Sequence, residues 1–171
     1  MNDFMNPIRF TNTFHVECID KHGNLKWEAE IPQNLVVNEG LDDNLDKYLK
    51  GSSYTAAFYV GLTDGTPTEA ASDTMASHAG WTEVTAYTEA NRPGLVLGTV
   101  ASQSVDNSAN KATFSINADS TTIGGAFICT NNTKGGTSGT LYGVGDFTGG
   151  DKAADDGDTL NVTVTCTAAA A

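Results

Sequence analysis

The sequence lacks the patterns by which enzymes and metal proteins are usually recognised. No GxSxG, HExxH, phosphate-loop or dinucleotide-binding pattern occurs, and the three histidines are isolated from one another. Cys18, Cys129 and Cys166 lie far apart in apolar or β-branched runs, which predicts buried free thiols instead of a disulfide framework or a zinc site. We therefore expect no enzyme activity, no cofactor and no metal ion.

Positive charge is also scarce. Lys and Arg number 9 against 21 Asp and Glu, so the formal net charge is −12. Nucleic acid and anionic membranes repel such a surface, and neither is expected as a partner. No stretch approaches the ~20 apolar residues that a membrane span requires, and no signal-peptide pattern opens the chain. A length of 171 residues predicts one domain.

What the sequence does contain is a series of short β-rich segments separated by turn clusters. Alternating or apolar runs predict strands at 10–19, 25–31, 54–62, 95–105, 112–117, 123–130, 141–147 and 159–167, and a weak strand or an ordered loop at 81–87. The first two form a hairpin around the turn residues 20–24. This spacing predicts a mainly β protein, either an antiparallel β-sandwich or a jelly-roll-like barrel.

One short amphipathic helix is predicted at about 38–50. Asn38 is the expected N-cap, and Gly51 is the expected residue after the helix C-terminus. The apolar positions have helical spacing and form one stripe: Leu41, Leu45, Tyr48 and Leu49.

Two loops are candidates for function. Residues 63–80 form a polar loop longer than compact domains usually contain, which is typical of functional or mobile segments. Residues 151–158 carry several aspartates around Gly157 that could supply oxygen ligands to a cation. A solvated hairpin turn before the last strand explains the aspartates better.

The stretch 27–62 reads WEAEIPQNLVVNEGLDDNLDKYLKGSSYTAAFYVGL. It resembles a pattern found in virion proteins of tailed bacteriophages. A strand is followed by Asn-Leu-Val-x-Asn-Glu-Gly-Leu, a short acidic helix, a Lys-Gly step and an aromatic strand ending in Val-Gly-Leu. The segment 156–163, reading DGDTLNVT, also resembles the last strand of these small structural proteins. The resemblance covers roughly a third of the chain.

In size the chain is most similar to the capsid decoration, or cement, type of virion protein. The resemblance implies a β-rich protein that binds the outer surface of the major capsid protein lattice after expansion and stabilises the shell. It also implies a location on the capsid exterior, after assembly in the host cytoplasm. We expect a homo-oligomer, either a dimer or a trimer.

An N-terminal arm at 1–9 is predicted to precede a single β domain at 10–168. Phe4, Ile8 and Phe10 would give apolar contacts or an added strand to a partner, although a frayed terminus explains the arm equally well. Trp81, at the end of the long loop, is the fourth candidate contact residue.

Other functions fit the same sequence. The chain could be a head-fibre, receptor-binding or glycan-binding protein that faces the host through the long loop and aromatics near Trp81. It could also be a tail or head-completion component. A hydrolase with two carboxylates distant in sequence is the least favoured alternative.

Overall fold

The computed structural model describes residues 8–54 and 57–170, and within them the chain is mainly β. Two antiparallel sheets of five strands each enclose a common core, and two further strands form a small third sheet. The predicted antiparallel β-sandwich with one short helix is confirmed. The strands are β1 Ile8–Ile19, β2 Leu25–Ile31, β3 Leu35–Val36, β4 Tyr59–Asp64, β5 Thr82–Glu83, β6 Ser104–Asp106, β7 Ala112–Ser115, β8 Thr121–Ile123, β9 Gly125–Cys129, β10 Leu141–Asp146, β11 Lys152–Ala154 and β12 Thr159–Ala170.

Sheet A has the strand order β2-β1-β12-β6, and β7 also pairs with β12. Sheet B has the order β3-β10-β9-β4-β5, and the small sheet joins β8 to β11. The two longest strands, β1 and β12, pair along their whole length, from Ile8 opposite Ala170 to Ile19 opposite Thr159. The first and last strands of the described chain therefore lie side by side at the centre of sheet A.

The main core lies between the two sheets. On β1 the alternate residues Phe14, Val16 and Cys18 point into it and are fully buried, as the alternation of side chains along a strand requires. Val60 and Leu62 of β4 contribute to the core from sheet B. The strand that the alternating run at 10–19 predicts is thus confirmed.

A second apolar cluster covers the outer face of sheet B. On β9, Ile128 belongs to the main core, whereas Phe127 belongs to the second cluster together with Met75 and Trp81. The long loop predicted at 63–80 supplies Met75, so the loop serves as a cover over the sheet. A Cβ at Gly61 would lie 2.1 Å from the Phe127 ring, and glycine is therefore required for the close packing of that ring on β4.

The predicted β1–β2 hairpin is confirmed in both strands and in its turn. Asp20 accepts hydrogen bonds from the backbone N–H groups of His22 and Asn24, at 2.8 and 2.9 Å. Gly23 has a φ of +86°, a conformation that glycine adopts without strain.

The predicted helix is present as α1 Asn38–Asn44, which continues as a π-helical turn, Leu45–Leu49. The predicted N-cap is wrong. Val37 occupies the cap position, and no side chain there accepts a hydrogen bond. Gly51, with a φ of +78°, follows the helix C-terminus as predicted. No helix in the described residues is long and apolar enough to cross a membrane.

Several predicted boundaries differ from the structure. In the stretch 81–87 only Thr82–Glu83 is a strand, and the predicted strand at 123–130 is divided between β8 and β9. The arm predicted at 1–9 extends too far, because β1 begins at Ile8. The predicted strand at 95–105 is wrong over most of its length, since only Ser104 onward enters a strand. The predicted strand at 54–62 is shorter than expected and begins at Tyr59.

Candidate partner-binding groove

Exposed apolar side chains are concentrated at one end of the sandwich. They surround a groove of about 800 Å³, within the size range of pockets that hold ligands or partner side chains. Eight of the eleven large apolar side chains that are exposed in the described ranges line this groove: Ile8, Phe10, Leu41, Leu45, Tyr48, Leu49, Tyr54 and Leu97. Such a concentration is typical of an interaction site, because exposed apolar residues on an ordinary protein surface occur singly and far apart.

The first wall of the groove is the outer end of sheet A. Ile8 and Phe10 are on the same face of β1 as the buried residue Phe14, because side chains two residues apart share a face. Strand β2 ends at Ile31, opposite Phe14, so it does not continue alongside the first residues of β1. The core-facing side of β1 therefore extends past the closed core and becomes the groove wall.

The second wall is the apolar stripe of the helix. Tyr48 is 86% exposed and Leu45 is 57% exposed, although helical spacing would normally place such a stripe in the core. The helix is attached to sheet B through other residues. A Cβ at Gly40 would lie 2.4 Å from the Tyr142 carbonyl oxygen, and the Asn44 side-chain amide donates a hydrogen bond of 2.9 Å to the Tyr142 hydroxyl.

The floor of the groove is formed by partly or fully buried side chains of both sheets. Phe58 and Tyr142 pack edge to face with ring centroids 5.6 Å apart, and Ile128 lies beside them. Burial raises the pKa of Tyr142, the Asn44 hydrogen bond opposes this shift, and the Asp43 carboxylate adds to it. Burial also raises the pKa of Cys166 to about 11, so this thiol is protonated at neutral pH and is a poor nucleophile.

A smaller lobe of about 320 Å³ adjoins the main groove and shares Phe10, Tyr142 and Cys166 with it. Asn12 lines this lobe and is only 2% exposed. Its side-chain nitrogen has no hydrogen-bond partner in the part of the chain that the structure describes, and neither has that of Asn34 nearby. Buried polar groups are normally paired, so the unpaired Asn12 amide beside this lobe is an exception.

The charge of the groove is carried mainly by the helix. Asp46 pairs with Lys47 and Lys50, at 3.6 and 2.9 Å. The Glu39 carboxylate accepts the backbone N–H of Leu141 at 2.9 Å. Asp43 lines the groove and makes no ion pair with any described residue. A carboxylate on the groove wall is thus available to a cation of a partner.

The structure brings together two of the four predicted contact residues. Ile8 and Phe10 both line the groove, and Phe4 lies outside the described residues. Trp81 is elsewhere and is only 6% exposed. Its indole nitrogen donates to Asp73 at 3.2 Å, and its ring stacks on His78 with centroids 3.8 Å apart. The expectation of an exposed aromatic surface around Trp81 is wrong, because this ring closes the second cluster over Phe127.

Sequence reasoning missed most of the groove. The predicted helix stripe supplies four residues of the groove, but its spacing did not indicate what the stripe contacts. Leu97 was assigned to a strand, whereas it lies in an irregular segment beside the groove. The low number of charged residues at 94–105 is the one sequence signal that could have indicated an apolar surface there.

Carboxylates of the acidic loop 151–158 pair with a lysine of strand β2. Lys26 donates hydrogen bonds of 2.7 Å to the carboxylates of both Asp155 and Asp158. The hydrogen bond from Lys26 lowers the pKa of Asp155, and Ser120 N–H adds a second donor. No cluster of three or more metal-ligating side chains occurs in residues 8–54 and 57–170. The backbone N–H of Asp158 donates to the Asp155 carbonyl oxygen at 3.0 Å, so a turn does precede β12. The predicted hairpin is wrong, because β11 pairs with β8 and does not pair with β12.

A buried ion pair joins Arg92 to Glu83, with Nη2 and Oε2 2.7 Å apart. The guanidinium also donates to the carbonyl oxygens of Asn131 and Gly136, each at 2.8 Å, and lies over the Phe127 ring. The contacts of this guanidinium group described here are all within the protein, and the Arg92 side chain is fully buried. This arrangement connects loops behind sheet B and does not form part of the groove.

The fold therefore defines the chain as a β-sandwich with an apolar groove at one end. No family model, curated protein or solved structure matches the chain.

Proposed function

We propose that the chain is a capsid decoration protein of a tailed phage that binds the outer surface of the major capsid protein lattice and stabilises the expanded shell. The observation that carries this proposal is the exposed apolar groove. Its described lining offers contact area and no cluster of metal ligands. A protein that acts by lying against its neighbours needs such a surface.

The groove can supply enough binding free energy for a specific contact. Complete burial of one large apolar side chain contributes about 1.5–3 kcal/mol, and eight such side chains are exposed here. Partial burial of this set is favourable by on the order of 10 kcal/mol, which is comparable with the ~4–15 kcal/mol that association costs. Binding at many equivalent lattice positions needs only a modest surplus per site.

The residues that form the groove also carry the resemblance to phage virion proteins. The stretch 27–62 contains α1, the π-helical turn and Phe58, which together form one wall and part of the floor. The net charge of −12 suits the outer face of a shell, away from packaged DNA. A dimer or trimer of this chain, with neither nucleic acid nor membrane as partner, completes the proposal.

The copy number in purified virions tests the proposal. Quantitative mass spectrometry should find the chain in a simple ratio to the major capsid protein. Purified chain should also add stoichiometrically to expanded shells assembled without it and raise their melting temperature. A few copies per virion, or binding to tail tubes in place of shells, would instead indicate a tail or head-completion component.

A host-facing receptor- or glycan-binding protein was expected to use the long loop and the aromatics near Trp81. That contact surface is not exposed, because Trp81 is buried and Met75 anchors the long loop on sheet B. Glycan-array binding by the isolated protein would revive this alternative. A hydrolase would require turnover in a substrate screen that is lost when one or two carboxylates are substituted.

A further inference from the structure

Beside its apolar walls the groove has a strand edge, an amide donor and a carboxylate for which residues 8–54 and 57–170 supply no partner. We propose that its occupant is an extended peptide segment of a neighbouring capsid protein, which adds as a strand to the edge of β1 at residues 8–11. The segment would be apolar at alternate positions and carry one Lys or Arg. The identity of the neighbour rests on the function proposed above, whereas the peptide chemistry rests on the groove itself.

The free edge follows from the backbone of β1. Asn12 both donates to Asn34 Oδ1 and accepts from Asn34 N–H, so its backbone groups point away from β12. In an antiparallel strand every second residue points to the same side, and the N–H and C=O groups of Ile8 and Phe10 therefore point to this side as well. No backbone partner faces them there within the described chain. Such an edge is a template for an added strand.

The side chains at this edge face the groove. Ile8 and Phe10 line it, so a strand that pairs with their backbone would present alternate side chains to the same apolar walls. Main-chain hydrogen bonds would then supply affinity, and the groove would select apolar residues at alternate positions. A hydrocarbon chain would fill the groove but leave the backbone edge unpaired.

The buried Asn12 amide also indicates a peptide. Asn12 lines the smaller lobe together with Phe10, and its side-chain nitrogen, which is shielded from solvent, has no acceptor among the described residues. A peptide carbonyl offers that acceptor at each residue of an extended segment. An alkyl chain has none, and the donor would remain unsatisfied beneath it.

Charge favours a different protein over a second copy of this chain. Two copies would each bring a net charge of −12, and the helix beside the groove is itself acidic. The Asp43 carboxylate on the groove wall would bind a cation favourably, and a second copy of this chain offers few Lys or Arg side chains. A Lys or Arg on the segment of the neighbour would satisfy it.

A peptide titration tests the chemistry without any assumption about the neighbour. The probe is an acetylated, amidated octapeptide of alternating leucine and threonine with a terminal lysine, and the control replaces its two central residues by proline. Nuclear magnetic resonance of the full chain should show amide shifts at Ile8 and Phe10, and cross-strand contacts, with the first peptide only. No shift at these amides in millimolar excess, equal shifts with both peptides, or a stronger response to a dodecyl detergent would overturn the proposal. Self-association with the same shifts would assign the groove to a second copy.

Shell binding by variants tests the site in its proposed setting. Ile8→Pro removes an edge N–H and leaves the hydrogen bonds between β1 and β12 intact. This variant should bind expanded shells about fivefold more weakly than Ile8→Ala.

Asp43→Asn should weaken binding about threefold, whereas Asp42→Asn, on the same helix but outside the groove lining, should not.

Asn12→Leu should change stability and shell binding in opposite directions. It removes a buried unpaired donor, so the melting temperature should rise while shell binding falls. Wild-type affinity in Ile8→Pro and Asn12→Leu would refute strand addition and leave the decoration function intact. Failure of the wild-type chain to bind shells, with the peptide still bound at β1, would refute the decoration function alone.

Discussion

Arg92 is a cation held wholly inside the protein by a carboxylate, two carbonyl groups and an aromatic ring. Glu83 is nearly as buried as its partner, and it also accepts the backbone N–H of Gly135 at 2.8 Å. A buried ion pair of this kind contributes little relative to apolar packing, but the loss of one partner leaves the other charge uncompensated. The pair therefore constrains the loops behind sheet B.

Arg92→Met should lower the free energy of unfolding by about 3–5 kcal/mol, because Glu83 would remain buried without a cation. Urea unfolding followed by tryptophan fluorescence measures this change. The double variant Arg92→Met, Glu83→Gln should lose less than the sum of the two single variants. Additive losses would mean that the two side chains act independently.

Single residues were predictable from the sequence where local pattern determines their position. Ile8 and Phe10 were proposed as contact residues because they are apolar residues at the expected N-terminal arm, and both line the groove. Trp81 was misjudged, because its burial depends on Phe127, which is distant in sequence. The unpaired amide of Asn12 depends on long-range packing in the same way, and no local pattern indicates it.

At the level of elements, the helix shows how a surface can be apolar and still well ordered. Its attachment to sheet B uses Gly40 and Asn44, which leaves the stripe free to line the groove. The sequence revealed the helix because periodicity, acidic residues and Gly51 all agree locally. It did not reveal which partner the stripe contacts, since amphipathicity identifies an apolar face and not what covers it.

Gly40→Ala should destabilise the protein by about 1–2 kcal/mol, although alanine favours helix formation by about 1 kcal/mol. The new Cβ would lie 2.4 Å from the Tyr142 carbonyl oxygen, and backbone cannot easily move away. Thermal unfolding of the purified variant measures the effect.

Gly94→Ala is the control, since its Cβ would meet no atom closer than 4.0 Å. That substitution should stay within about 0.5 kcal/mol of the wild type. A stabilised Gly40→Ala variant would show that the helix is not held against β10 as described.

Strands were predicted well where they are long, as for β1, β2 and β12. The expected strand at 95–105 failed because its apolar residues contact the groove and have no sheet neighbour over most of their length. The apolar residues are present as the sequence indicated, but they form an exposed surface instead of a core strand. Apolar sequence at an interaction surface is indistinguishable from a core strand when periodicity is the only information.

For the whole molecule, acid should be the condition that destabilises the fold. A hydrogen bond from Lys111 lowers the pKa of Glu17 from its ordinary value of 4.5, and one from Lys26 lowers that of Asp155 from 3.8. A carboxyl with a lowered folded-state pKa stabilises the fold fully above its unfolded-state pKa. That contribution is lost as the pH falls through the folded-state value.

The free energy of unfolding should therefore be nearly constant from neutral pH down to about pH 5 and should decrease below it. Urea midpoints across this range measure the decrease. Lys111→Met should lower stability at neutral pH by less than about 1 kcal/mol and should reduce the acid dependence. A protein that becomes more stable below pH 4 would contradict these pKa directions.

The most direct test of the account compares two leucines of equal exposure in a shell-binding assay. Leu45 is 57% exposed and lines the groove, whereas Leu25 is 56% exposed at the hairpin end of β2. Leu45→Glu and Leu25→Glu should keep the same melting temperature. Leu45→Glu should bind expanded shells at least about tenfold more weakly, and Leu25→Glu should bind them like the wild type. Equal binding by the two variants would contradict the assignment of the groove as the contact surface.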